Sequence, residues 1–176
     1  MPKVREENVR RFINRVASLF QISCYLPIRL YLRSNFFCMN LHEYQAKELL
    51  KKYNVPIQEG IACSTVAEAE DAYRFINSEY GSKFAVIKAQ IHAGGRGKGT
   101  IKGTEQRGVA VAKNLEDVKK IARNILGGTL VTVQTGEAGK LVNKILVAQD
   151  VYYDGPEKVK EIYLSILLDR SKGKNV

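Results

Sequence analysis

Helical and strand patterns interleave along most of this sequence, and that mixed order predicts an α+β or α/β architecture containing antiparallel hairpins. Two observations carry the expectation. Amphipathic helical stripes with cap signals recur after Thr65 and Asn114, and short β-branched runs lie between and after them at 84–89, 108–112, 130–134 and 141–147. The 176 residues suffice for one domain with a core of its own, or for a lobe of something larger.

Charge is unevenly spread. The formal net charge is +10, and residues 1–38 hold seven Lys and Arg against two Glu, so about half of the excess lies in a fifth of the chain. Arg29 and Arg33 interrupt the only apolar stretch there, which excludes a transmembrane helix of roughly 20 apolar residues. No small-residue cleavage site marks a secretory signal. The arginines fit an organellar presequence, whereas Glu6 and Glu7 do not. We expect Met39 to be the native start and residues 1–38 to be an upstream translation artefact, with an organellar (mitochondrial) presequence as the alternative. Cys24, Cys38 and Cys63 lack metal-ligand spacing and cannot all pair, which points to a reducing compartment, and Cys63 reads as a small buried residue.

From Met39 the pattern becomes regular. Asn40 and Glu43 stand at capping-box spacing, and Leu41, Tyr44, Leu49 and Tyr53 can share a helical face that ends near Asn54, ahead of Pro56. Residues 57–62 read as a short strand. Ser64 or Thr65 opens a second helix, with Thr65 and Glu68 at capping-box spacing, Val66, Ala69, Ala72, Tyr73 and Ile76 inward and Gly81 as its stop. Residues 84–89 form a buried strand, followed by a glycine loop and a returning strand, then a strand at 108–112. Asn114 caps a third helix, 115–126, with Leu115, Val118, Ile121, Ala122 and Ile125 inward and Gly127-Gly128 after it. Strands at 130–134 and 141–147 are joined by Gly136-Glu137-Ala138-Gly139 as a hairpin. Residues 149–158 read as a loop and 161–169 as a last strand. The chain stops just after a turn, so a truncated product is expected.

The loop Gly94-Gly95-Arg96-Gly97-Lys98-Gly99 is the feature with chemical content. Glycines let backbone N–H groups approach phosphate oxygens, and Arg96, Lys98 and the preceding Lys88 would offset the charge. It is not a Walker loop, because Gly97-Lys98 is followed by Gly99 and His92 stands where the first glycine belongs. It is not a dinucleotide fingerprint either, since Thr100 replaces the third glycine and a strand follows. Composition alone leaves phosphate binding, RNA contact and a solvated hairpin all open.

Longer motifs narrow the choice. Met39-Asn40-Leu41-His42-Glu43-Tyr44-Gln45-Ala46-Lys47 resembles the start of the β subunit of succinyl-CoA synthetase (succinate–CoA ligase). Val86-Ile87-Lys88-Ala89-Gln90-Ile91-His92-Ala93-Gly94-Gly95-Arg96-Gly97-Lys98 resembles that family's phosphate loop and the strand before it. Leu130-Val131-Thr132, Gln134-Thr135 and Val142-Asn143-Lys144-Ile145-Leu146-Val147 follow in the family's order. The resemblance spans residues 39–176 and leaves out 1–38.

The resemblance implies an α+β ATP-grasp fold, of which this sequence would supply the first lobe and an N-terminal helix. It implies nucleotide-binding roles for Lys88, for Gly95, Arg96 and Gly97 of the loop, for Gln149 at the adenine hinge and for Glu161, matching a carboxylate of the nucleotide site. At the hinge the family often has a glutamate, and Gln149 departs from it. The implied reaction joins succinate and CoA at the expense of ATP or GTP with Mg2+, giving succinyl-CoA, ADP (or GDP) and phosphate through a phosphohistidine on a partner α subunit. No catalytic residue and no metal ligand is assigned to this chain, whose isolated form is expected to be inactive. His92 and His42 are expected to be structural. The implied compartment is the cytoplasm, or the mitochondrial matrix if residues 1–38 are a presequence. Two alternatives stand beside this: a malate–CoA ligase β subunit, and a basic nucleic-acid-binding module whose affinity falls steeply with salt. A role for 1–38 at a membrane surface would depend on that segment alone; the favoured reading involves neither nucleic acid nor membrane.

Overall fold

The computed structural model describes residues 40–151, 167–169 and 171–175. Residues 40–151 belong to one unit, and a short hairpin, β8 (Leu168–Asp169) with β9 (Lys174–Asn175), belongs to another. Within the first unit the order is α1 (Glu43–Lys52), β1 (Gly60–Cys63), α2 (Val66–Tyr80), β2 (Ala85–Ala89), β3 (Thr100–Ile101), β4 (Val109–Ala112), α3 (Leu115–Ile125), β5 (Thr129–Thr132), β6 (Gly136–Leu141) and β7 (Ile145–Gln149). Every strand pair among the described residues is antiparallel, in sheets ordered β1-β7-β2-β4 and β3-β5-β6, which makes the fold α+β.

Helices α2 and α3 pack together on one face of the larger sheet, α2 over β1 and β7 and α3 over β2 and β4. Their starts follow from local chemistry: Thr65 accepts the Glu68 N–H at 3.1 Å and Asn114 accepts the Asp117 N–H at 2.9 Å. Ala69, Ala72, Tyr73 and Ile76 of α2 meet Val118, Ile121, Ala122 and Ile125 of α3 over Ala85, Ile87 and Ala89 of β2. Each buried Ile or Val stabilises the fold by about 1.5–3 kcal/mol. Cys63 lies wholly inside this core, and burial pushes its thiol up to about 12.

Four sequence expectations need correction. First, helix α1 does not start from a cap at Asn40: its N-cap is His42, whose N–H donates to Gln45 Oε1 at 2.9 Å. Glu43 is then the first helical residue instead of the acid that closes a capping box. Second, α1 has no fully buried residue: of its expected apolar face Tyr44 is half-buried, while Leu49 within it and Leu41 and Tyr53 beside it are exposed. Third, the strand after the glycine loop pairs with β5 in the smaller sheet, while β2 takes β4 as its neighbour, and the strand expected at 57–62 runs from Gly60 to Cys63. Fourth, the expected hairpin turn at Gly136-Glu137-Ala138-Gly139 is itself strand: β6 pairs with β5 across a turn at 133–135, and β7 joins the larger sheet. Strand β6 is largely exposed and reads GEAGKL, so it carries no alternating apolar pattern, and its backbone pairing is what defines it. Most of the loop expected at 149–158 and most of the strand expected at 161–169 lie outside the described residues.

Candidate functional site

Side chains alternate along β2. Ala85, Ile87 and Ala89 turn to the helices and are buried, which sends Val86 and Lys88 to the other face. On that face Lys88 stands beside Leu146 of β7. Its Nζ donates to Gln58 Oε1 at 2.8 Å and to Glu43 Oε1 at 3.2 Å, so the strand delivers an ammonium to the side of the sheet that α2 and α3 leave uncovered.

The glycine loop crosses from β2 in one sheet to β3 in the other, and its base is fixed. Gln90 N–H donates to Lys144 O at 2.9 Å, and Gly94 N–H donates to Gln134 Oε1 at 2.6 Å. Lys98 and Gly99 N–H both donate to Gly95 O, closing a turn at Gly95, whose φ is 78°. A Cβ on Gly99 would lie 2.5 Å from Val131 O, so the loop's return leg lies directly on β5. The apex differs: a Cβ on Gly97 would meet open space, and Lys98 is exposed.

Arg96 does not extend from this apex into solvent. It folds back, donating through Nη1 to Ala89 O at 2.8 Å and through Nη2 to Glu43 Oε2 at 3.0 Å. Glu43 therefore holds Lys88 with one oxygen and Arg96 with the other, and Lys47 Nζ lies 3.6 Å from the first. Burial works to raise the Glu43 pKa, but Lys88, Arg96 and Lys47 outweigh it and hold the carboxyl below its ordinary value. Burial and the charge of Lys88 keep the Lys47 ammonium below its usual range even with Glu43 beside it. Among the described residues, three half-buried cations thus share one carboxylate. Glu43 and Arg96 line an open cleft together with His92, Gly94 and Gln134.

Gln58 ties this cluster to the end of β7. Its Oε1 accepts from Lys88 and, at 3.1 Å, from Lys47, while its Nε2 donates to Gln149 O at 2.6 Å. The Gln149 N–H donates to Glu59 O at 3.0 Å, so both main-chain groups of Gln149 are engaged; its buried Oε1 has no partner among the described residues. The imidazoles of His42 and His92 stack at 3.7 Å between centroids, and burial, then His92 and Arg96, lower the His42 pKa. His92 is exposed and lines the cleft, and His42 is half-buried beneath it.

Of the residues singled out by sequence, Lys88, Gly95, Arg96 and Gly97 come together, Gln149 is linked to them through Gln58, and Glu161 lies outside the described residues. Sequence reading missed Glu43 and Gln58 as members of this cluster. Glu43 had a local explanation as a cap residue, and Gln58 lies in no motif; each meets Lys88 across 45 and 30 residues of chain. The arrangement suits binding and neutralising an anion. Among the described residues no group of three or more His, Cys, Asp or Glu converges as a metal site, and no helix is long and apolar enough to cross a membrane.

Comparison with known proteins adds three findings. The ATP-grasp domain family matches residues 40–176. The succinate–CoA ligase [ADP-forming] subunit beta of Flavobacterium johnsoniae is 49% identical over 138 residues, covering 78% of this chain and 33% of that protein. The proteins of the same description from Novosphingobium aromaticivorans and Cupriavidus pinatubonensis are each 51% identical, over 139 and 132 residues, covering 77% and 75% of this chain and 33% and 30% of theirs. The chain thus spans about a third of the length of the curated relatives it matches.

Proposed function

The chain belongs to the ATP-grasp domain family, and from that membership we propose that it is the nucleotide-binding part of the β subunit of a succinate–CoA ligase. One observation carries the reading: Lys88 from the strand and Arg96 from the glycine loop converge on a single carboxylate on the face of the sheet away from α2 and α3. Two cations held about one anion, below a loop with accessible backbone, are what a polyphosphate requires.

In this reading Lys88 and Arg96 bind the phosphates of ATP or GTP, Gly95 and Gly97 let the loop lie against them, and Gln149 marks the base end. Glu161 is proposed as an acceptor for the nucleotide by resemblance alone. The phosphoryl group would pass to a histidine on an α-subunit partner and from there support thioester formation between succinate and CoA. This chain's own share is to bind and orient the nucleotide and to balance its charge. Magnesium, expected with the nucleotide, finds no fitting donor set among the described residues: Glu43, the carboxylate of the cluster, is surrounded by cations, so no step is assigned to a metal here.

Lys88→Met is expected to weaken ATP binding by about tenfold or more, since a charge-assisted contact to phosphate is lost. Calorimetric titration of the 176-residue chain checks it, and equal affinity in the variant contradicts the assignment. The same chain without its partner is expected to form no succinyl-CoA; turnover by the isolated polypeptide would contradict that.

A further inference from the structure

Glu43 is bound to the same two side chains that the reading above gives to the nucleotide, and it belongs to α1, a helix with no buried residue. Each cation also has a neutral partner that fixes its position without Glu43. Lys88 donates to Gln58 Oε1 at 2.8 Å, and Arg96 donates to Ala89 O at 2.8 Å. The carboxylate is therefore not required to place the cations; its contribution is charge. It bridges them, accepting from Lys88 Nζ at 3.2 Å and from Arg96 Nη2 at 3.0 Å.

We propose that Glu43 is a displaceable counter-ion, a built-in anion that holds Lys88 and Arg96 while the site is empty and competes with the incoming phosphates for them. This rests on the phosphate-binding reading and deepens it by assigning the site an internal competitor. Two further features agree with exchange. Lys47 lies 3.6 Å from the same carboxylate, so the cluster retains excess positive charge with Glu43 in place and draws in an anion. Helix α1 is anchored by polar contacts, including Lys47 Nζ to Gln58 O at 3.0 Å and Tyr44 N–H to Gln90 Oε1 at 3.4 Å, and Leu41, Leu49 and Tyr53 in and beside it are exposed. Such a helix can shift without opening the core between α2 and α3.

The test is titration of inorganic tripolyphosphate into the full chain, with Lys88→Met, Glu43→Gln and Glu43→Asp. Removing a unit charge close to the ligand's own should tighten binding by about tenfold in Glu43→Gln, while Glu43→Asp, which keeps the charge, stays within about threefold of the wild type. Lower or unchanged affinity in Glu43→Gln overturns the proposal, because a carboxylate that only positions Lys88 and Arg96 must weaken binding when it is neutralised. Lys88→Met separates the two claims. If it binds as the wild type does, the phosphate-binding reading itself has failed; if it binds weakly and Glu43→Gln is not tighter, only the competitor has failed. A wild-type readout remains if a variant does not fold: the carboxyl carbon resonance of Glu43 should move toward that of a free carboxylate as tripolyphosphate saturates the chain, and an unmoved resonance overturns the exchange.

Discussion

Glu43 contributes to stability through a depressed pKa, and the sign of its pH dependence follows. A carboxyl held below its ordinary 4.5 by Lys88, Arg96 and Lys47 stabilises the folded chain above that value, and the contribution is lost as pH falls through the folded-state pKa. In thermal unfolding the wild type should therefore exceed Glu43→Gln in stability near pH 7, with the gap closing as pH drops below about 4.5. A gap that widens in acid would contradict the geometry. Cys63 makes a second prediction at this scale. With its thiol buried and pushed up to about 12, it should resist alkylation at pH 8 in the native chain and react only after unfolding, as read by peptide-level mass spectrometry. Labelling of native Cys63 at the rate of a free thiol would show that the core opens there.

The elements differ in what holds them. Helices α2 and α3 owe their starts to Thr65 and Asn114, and Thr65→Ala should cost about 1 kcal/mol in chemical denaturation, with no loss if the Glu68 N–H finds another acceptor. The glycine loop offers a sharper contrast. Gly99→Ala should destabilise by about 1–3 kcal/mol, because its Cβ would meet the β5 backbone and Thr132, whereas Gly97→Ala should leave the unfolding midpoint unchanged. Equal midpoints for both variants would mean that the loop does not rest on β5. The same contrast explains which elements could be read in advance. Periodic apolar residues with caps identify α2 and α3 because their packing is coded locally. Strand β6 has no such pattern, and the apolar spacing of α1 leaves no residue of that helix fully buried. In the site, Arg96 stands out because it lies between Gly95 and Gly97, and Lys88 because it is the charge on the apolar strand that leads into the glycine loop. Glu43 and Gln58 do not, because their partners are supplied by strand pairing and helix placement over long separations.

At the level of the whole chain, a net charge of +10 leaves several binding roles open, and the placement of the charge is more informative than its sum. Among the described residues three cations gather on one carboxylate beneath a glycine loop, on the face of the sheet opposite α2 and α3, where strand alternation puts Lys88. In the reading proposed above the ligand of that cluster is a nucleotide; the chain belongs to the ATP-grasp family and spans about a third of the length of its curated relatives. The most direct measurement is amide chemical-shift mapping of the 176-residue chain during titration with ATP, alongside Lys88→Met. Binding to the phosphate cluster predicts shifts centred on the amides of Gly95, Arg96 and Gly97 and on Lys88, all greatly reduced in the variant. Shifts centred elsewhere, or shifts that persist unchanged in Lys88→Met, would contradict it.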